Sequence, residues 1–291
     1  MKRCGRNAAI MGIMKKLSRE ESCRAAIKKE IQAVEKKEEK LRQRALKPKQ
    51  PGWKQELEKK IPDQVYSTLE KAFCKAFEIV FEKGTGIIEK SYQKDAIQQD
   101  RMIQEYAFQV KANRKELKKL HQKAAAADMK NIAFTTVEGI GLGVFGVGLP
   151  DIVIFVGMLL KGVYETALHY GFDYDSPEER LFILKMMEAS MLDGESWRRA
   201  NAEIDNLVTE QFLVIPGEGD FERQLRRTAS VFAMDMLVLK FIQGLPLAGI
   251  LGGAANPLYY HKVMKYVQLK YRKRYLYKKD GETITFGGEN G

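Results

Sequence analysis

Residues 138–151 read EGIGLGVFGVGLPD, and the reading of these glycines decides the fold. Residues 141–146 match G-x-G-x-x-G letter by letter. A dinucleotide loop, however, needs a strand before it, a helix opening on it and an acidic ribose ligand about 20 residues on. Here an alanine-rich helical pattern precedes the glycines, and strands and helices alternate nowhere in the chain. A phosphate loop is excluded too, because EKGTG at residues 82–86 lacks the first glycine and the lysine of that motif. A membrane span fits in length, since residues 139–160 make 22, against the roughly 20 that cross a bilayer. Yet Pro150 and Asp151 sit at its centre, where an ionised carboxylate costs about 2.5–3.5 kcal/mol. A helical hairpin turning at residues 149–151 fits better, its glycines letting two helices approach closely. Two versions stay open: a buried helix pair in the core, or an apolar tip that meets lipid through Val144, Phe145, Val147 and Leu149. A second stretch, QGLPLAGILGGAANP at residues 243–257, repeats the style and adds Ile250 and Leu251 to the lipid-contacting candidates.

The rest of the chain reads as helix. Residues 17–46 carry thin apolar periodicity with Lys and Glu interleaved, predicting a long exposed helix that KPKQPG at 47–52 ends. Leu69, Ala72, Phe73, Ala76, Phe77 and Val80 recur at helical spacing. The GTG at 84–86 is expected to be the turn after that helix. Around residue 171 the punctuation is dense. Gly171 suits a left-handed helix end, Ser176 a cap, Pro177 a first turn, and Glu179 the far half of an S-x-x-E capping box, predicting a helix over 177–191. Further helices are predicted over 196–212 and 221–243, then a basic, aromatic one, HKVMKYVQLKYRKRY. The fold class expected is all-α: a multi-helix bundle with two glycine-rich apolar hairpins and a charged N-terminal helix. The divisions expected are 1–50 as a helical extension, 51–279 as the helical domain, and 280–291 as a tail or small hairpin on Asp280-Gly281.

Charge is concentrated in the flanks. Residues 1–50 hold 16 Lys or Arg against 6 Glu, and residues 262–279 hold 8 against none, while the chain as a whole carries +11. Such flanks point to an anionic surface, either phosphate backbone or membrane; interleaved charges on a solvated helix face would look the same. Six of the 12 tyrosines lie at 259, 260, 266, 271, 275 and 277 among these cations. Tyrosine at a headgroup boundary beside lysine is an interfacial signature, which marks Lys270, Arg272, Lys273 and Arg274 as basic membrane-facing candidates. Val263, Val267, Tyr271 and Tyr275 also make one helical stripe that would pack on a bundle. With no nucleic-acid motif present, lipid is favoured over nucleic acid. Cys4, Cys23 and Cys74 fit neither a disulfide framework nor a metal site, the start shows no secretory signal, and a reducing compartment is expected.

Catalytic candidates are the polar residues in and after the apolar block: Glu138, Asp151, Glu165, His169, Asp173 and Asp175. A carboxylate buried there would have a raised pKa and could serve as general acid or base. His169 and Asp173 share a helical spacing, but no nucleophile elbow or H-E-x-x-H accompanies them. No cofactor is expected, and three potential ligands on one loop make no metal site.

The runs TTVEGIGLGVFGVGLPDI, ALHYGFDYDSPEERLFIL and EKGTGIIEKSY, with GGAAN before the basic aromatic helix, together resemble the EcsC protein family over residues 61–275, the YGFD-x-x-x-PEER pattern being the specific part. The resemblance implies a bacterial, mostly helical protein of a family named for its association with an ABC transporter operon, without a settled biochemical activity. It carries over no catalytic residue. The function expected is a peripheral protein on the cytoplasmic membrane face that binds or senses anionic phospholipid, with a membrane transporter as candidate partner. The alternatives are an enzyme acting on a lipid through buried carboxylates and an interaction scaffold without ligand.

Overall fold

The computed structural model describes residues 2–47, 56, 58–133, 150–210, 215–243 and 255–288. Of the described residues 88% are helical and none lies in a strand, so the fold is an all-α bundle. Its helices are α1 (Lys2–Ala45), α2 (Asp63–Ile79), α3 (Thr85–Lys90), α4 (Lys94–Lys111), α5 (Arg114–Ala133), α6 (Pro150–Tyr170), α7 (Pro177–Met191), α8 (Gly194–Thr209), α9 (Asp220–Gln243) and α10 (Ala255–Gly288).

The centre is α6, which packs on α2, α4, α5 and α10. Residues 152–170 of this helix are long and apolar enough to cross a membrane, yet 83% of that window is buried inside the bundle. It is therefore a helix that is hydrophobic all round because other helices surround it. Pro150 opens it, where a missing N–H costs nothing. On one side Phe73, Phe77 and Phe155 close on Phe232, with ring centroids 5.8, 6.0 and 6.4 Å away. On the other, α6 meets α10 at Gly162, where a Cβ would fall 2.5 Å from the Tyr260 hydroxyl and 3.0 Å from Met264 Sδ. Close helix approach through glycine is thus real, but its described instance lies outside the glycine-rich runs. Residues 134–149 and 244–254, with Glu138, Val144, Phe145, Val147, Leu149, Ile250 and Leu251, lie outside the described residues, and both hairpin expectations fall mostly on them.

The α6–α7 junction is built as its sequence reads. Gly171 takes φ +78°, its N–H bonds Leu168 O at 3.0 Å and the Phe172 N–H bonds Ala167 O at 2.9 Å, the paired bonds of a Schellman cap. Ser176 then caps α7 by accepting from the Glu179 N–H.

Three expectations are revised. The GTG segment is no turn: a π-helical turn, Val80–Gly84, joins α2 to α3 without a break, and the chain turns only at residues 91–93. Gly84 is held at φ −81°, and a Cβ on it would meet Val80 Cγ1 at 3.1 Å. The segment after residue 279 is helical through Gly288, so Asp280-Gly281 sits inside α10 and no hairpin forms. The first 50 residues are not an extension outside the domain, because Ala26, Ile27, Glu30 and Val34 are buried where α1 packs on α5, α8 and α10. Val263, Val267, Tyr271 and Tyr275 are all buried, so this stripe packs on the bundle, which is one of the two readings its spacing allowed.

Candidate functional site

The basic helix α10 turns most of its charge inward. Lys270 is wholly buried and Lys273 nearly so. Both ammonium groups bond Glu38 of α1 and Asp205 of α8, the Asp205 distances being 2.7 Å each. Asp205 is fixed in turn by the Asn201 amide at 2.9 Å, and Asn201 accepts from the Tyr266 hydroxyl at 2.8 Å. Arg274 donates to both oxygens of Glu179, and Lys279 pairs with Glu105. Among Lys270, Arg272, Lys273 and Arg274 none faces outward as the interfacial reading required: burying a cation is tolerable only against a carboxylate, and the bundle supplies one to each.

Arg272 differs, because it and Arg114 of α5 share a single buried acceptor, Glu30. Above this pair opens a cavity of about 810 Å³ between α1, α5 and α10. Seven cations line it: Lys37, Lys40 and Arg44 from α1, Arg114 and Lys118 from α5, and Lys265 and Arg272 from α10, with no carboxylate in the lining. His121 and Tyr170 form part of its wall, His121 Nδ1 lying 3.2 Å from the Tyr170 hydroxyl. Burial, then Arg272 and Lys37, hold the His121 imidazole well below its ordinary range, so it is neutral. The Lys37 ammonium is lowered by burial and by Arg272. Positive charge therefore exceeds negative here, unlike along the rest of α10. A second cavity, of about 500 Å³, adjoins the first, sharing Leu41, Arg44, His261 and Lys265 with it. Its walls are mostly apolar, with Leu192, Trp197, Val238, Leu239 and Leu258.

A third feature lies on the surface. Of nine exposed large apolar side chains among the described residues, seven stand on two helices: Met11, Met14 and Leu17 on α1, and Met102, Ile103, Tyr106 and Val110 on α4. Met11, Met14 and Val110 line one groove with Lys15, Arg19 and Lys111. From Ala96 to Val110 every exposed position of α4 is uncharged.

The catalytic candidates do not converge. Glu138 and the Asp151 side chain are outside what is described. His169 is buried near the Asp100–Lys123 pair, its pKa pushed down to about 4 by burial. Asp173 accepts from the Asp175 N–H at 3.1 Å and Asp175 pairs with Arg180, so no His169–Asp173 dyad forms. Glu165 is buried in α6. Among the described residues no group of three or more His, Cys, Asp or Glu could hold a metal ion. The sequence reading missed Glu30, Glu38 and Asp205, and missed the cavity cations of α1 and α5. No local pattern marks them, because each is one of many charges on an amphipathic helix and only the packing selects it.

No curated protein and no solved structure matches the chain. The model of the EcsC protein family matches residues 25–276, starting where α1 first enters the core and ending on α10, and the chain therefore belongs to the EcsC protein family.

Proposed function

We propose that this protein is a peripheral membrane protein that docks on the anionic, cytoplasmic leaflet through the α1–α4 face. The observation that carries the reading is the placement of exposed apolar side chains: Met102, Ile103 and Tyr106 on an uncharged helix face, beside Met11, Met14 and Leu17. Residues 1–19 supply six Lys or Arg and no acid. A surface of this composition gains from burying apolar groups at the headgroup boundary and from cations near anionic lipid, the latter by about 1 kcal/mol per charge. An exposed apolar patch of this kind marks an interaction surface. The flanking charge gives the partner its sign, and Tyr106 its depth, since tyrosine favours an interface where one end is wet. The role expected of α10 passes to α1 and α4.

Vesicle co-sedimentation tests the reading. The full chain should pellet with phosphatidylglycerol-containing vesicles more strongly than with pure phosphatidylcholine, and less so at high salt. The triple variant Met102→Ser/Ile103→Ser/Tyr106→Ser removes apolar area from an exposed face without opening a cavity. It should keep its melting temperature and lose about tenfold or more in binding. Undiminished binding by that folded variant removes this face from the proposal.

A further inference from the structure

Every buried cation on α10 except one has its own carboxylate, or shares two. The exception is Arg272, which shares Glu30 with Arg114 at the floor of the large cavity. Around that floor the charge is uncompensated. Lys40, Lys118 and Lys265 have no carboxylate partner among the described residues, and none lines the cavity. Three buried nitrogens there, His121 Nε2, Gln268 Nε2 and Arg272 Nε, make no hydrogen bond. His121 is more than nine-tenths buried, and its Nε2 stands 3.8 Å from Glu30, beyond bonding reach. Buried polar nitrogens without partners are costly, and a native protein that keeps several in one cavity has a use for them. Lys37, Lys40, Lys118 and Lys265 stand exposed on the wall of the same cavity with no carboxylate in its lining, and burial first, then Arg272 and Lys37, lowers His121.

We infer that this cavity binds a phosphate ester, with the phosphate oxygens among Arg114, Lys118, Lys40 and Lys265 and the ligand's apolar part in the adjoining cavity beside Trp197. Phosphate is the chemistry that matches: a dianion with several acceptor oxygens satisfies guanidinium forks and ammonium groups together, where a single carboxylate would leave most donors unmet. A volume of about 810 Å³ is the size of a small-molecule site. The shared edge at Leu41, Arg44, His261 and Lys265 makes the site amphipathic, cationic on one side and apolar on the other. The same chemistry is offered by a phospholipid headgroup or by a soluble phosphate ester. Only the lipid source rests on the membrane reading above; the phosphate site does not.

The test uses the full chain carrying Trp53→Phe, which leaves Trp197 as the one remaining tryptophan of two. Glycerol 3-phosphate and monomeric dihexanoyl phosphatidic acid are titrated by calorimetry and by Trp197 emission, with dihexanoyl phosphatidylcholine as control. Both phosphate monoesters should bind. The phosphatidic acid should bind about tenfold more tightly and shift the emission, and the control should do neither. In the double variant Lys40→Glu/Lys118→Glu, whose side chains are exposed on the cavity wall, phosphate binding should weaken about tenfold at unchanged melting temperature. The Met102→Ser/Ile103→Ser/Tyr106→Ser protein should keep full binding of the soluble ester, so a failed docking face and a failed cavity are told apart. Equal binding of both monoesters with silent Trp197 would support the phosphate site and overturn its lipid half. Absent binding of either ester, or binding indifferent to the double reversal, overturns the inference.

Discussion

Arg274 holds both carboxylate oxygens of Glu179 from one nitrogen, Nη1, at 2.8 and 2.7 Å, its guanidinium lying 4.0 Å above the Phe172 ring. The Tyr271 hydroxyl donates to the same carboxylate at 2.7 Å. These residues tie the YGFD-x-x-x-PEER segment to α10, so the most recognisable motif of the chain is a docking device for its last helix. Burial pushes the Glu179 carboxyl up, against the pull of Arg274 and Tyr271.

Deleting one member strands the other. Glu179→Ala should destabilise by about 3–5 kcal/mol, because it leaves a buried guanidinium without its acceptor. The double change Glu179→Ala/Arg274→Leu should recover much of that loss, since replacing both charges removes the desolvation cost as well. Urea melts of the two singles and the double give the coupling energy. A Glu179→Ala protein within about 1 kcal/mol of wild type would show the pair to be incidental.

The same residue shows where the sequence was legible and where it was not. Ser176, Pro177 and Gly171 act on neighbours within five positions, so their roles follow from spacing, and α7 begins and ends as predicted. Glu179 completes the S-x-x-E pattern equally well, but its carboxylate leaves the cap for an arginine 95 residues on. That choice is made by packing. The row Lys270, Arg272, Lys273, Arg274 misled for the same reason: a helix face is judged exposed or buried by its partners, and these acids sit on α1, α7 and α8. The basic cavity was unreadable because its cations come from three helices, each unremarkable alone.

Glu30 and Glu38 make the first helix part of the domain, and truncations test this. Among the described side chains, removing residues 2–19 takes away none that is buried, the first such residue being Ala26. The shortened protein should melt close to wild type while losing affinity for anionic vesicles. Removing residues 2–45 deletes Ile27, Val34 and both acids, leaving Arg272, Lys270 and Lys273 with a depleted set of carboxylates. It should be unfolded or aggregated. The full-length Glu30→Gln variant isolates the charge effect and should cost about 3 kcal/mol or more. A well-folded chain beginning at residue 46 would restore the division at residue 50.

His169 gives the stability a pH dependence whose sign follows from its surroundings. It sits in the last turn of α6, facing Asp100 of α4 and Lys123 of α5, which pair with each other at 2.9 Å. A helix C-terminus favours a protonated imidazole by at most about 2 kcal/mol. Burial, helped by Lys123, wins over that and over Asp100, and lowers the pKa from 6.5 to about 4. The unfolded chain thus takes up a proton below about pH 6.5 that the native protein refuses until about pH 4. The stability contributed by neutral His169 is fully present above pH 6.5 and is lost as the pH falls through that window, by about 3 kcal/mol in all. His121 and the carboxylates held low, such as Asp205 and Glu89, titrate in the same direction and the raised Glu179 in the opposite one, so the informative quantity is a difference. Wild type minus His169→Gln, measured by urea melts from pH 8 to pH 4, should be flat at the alkaline end and decline steadily below pH 6.5. Parallel curves across the range would mean that the native imidazole takes up its proton near pH 6.5 just as the unfolded chain does, which would overturn the argument that burial holds it neutral.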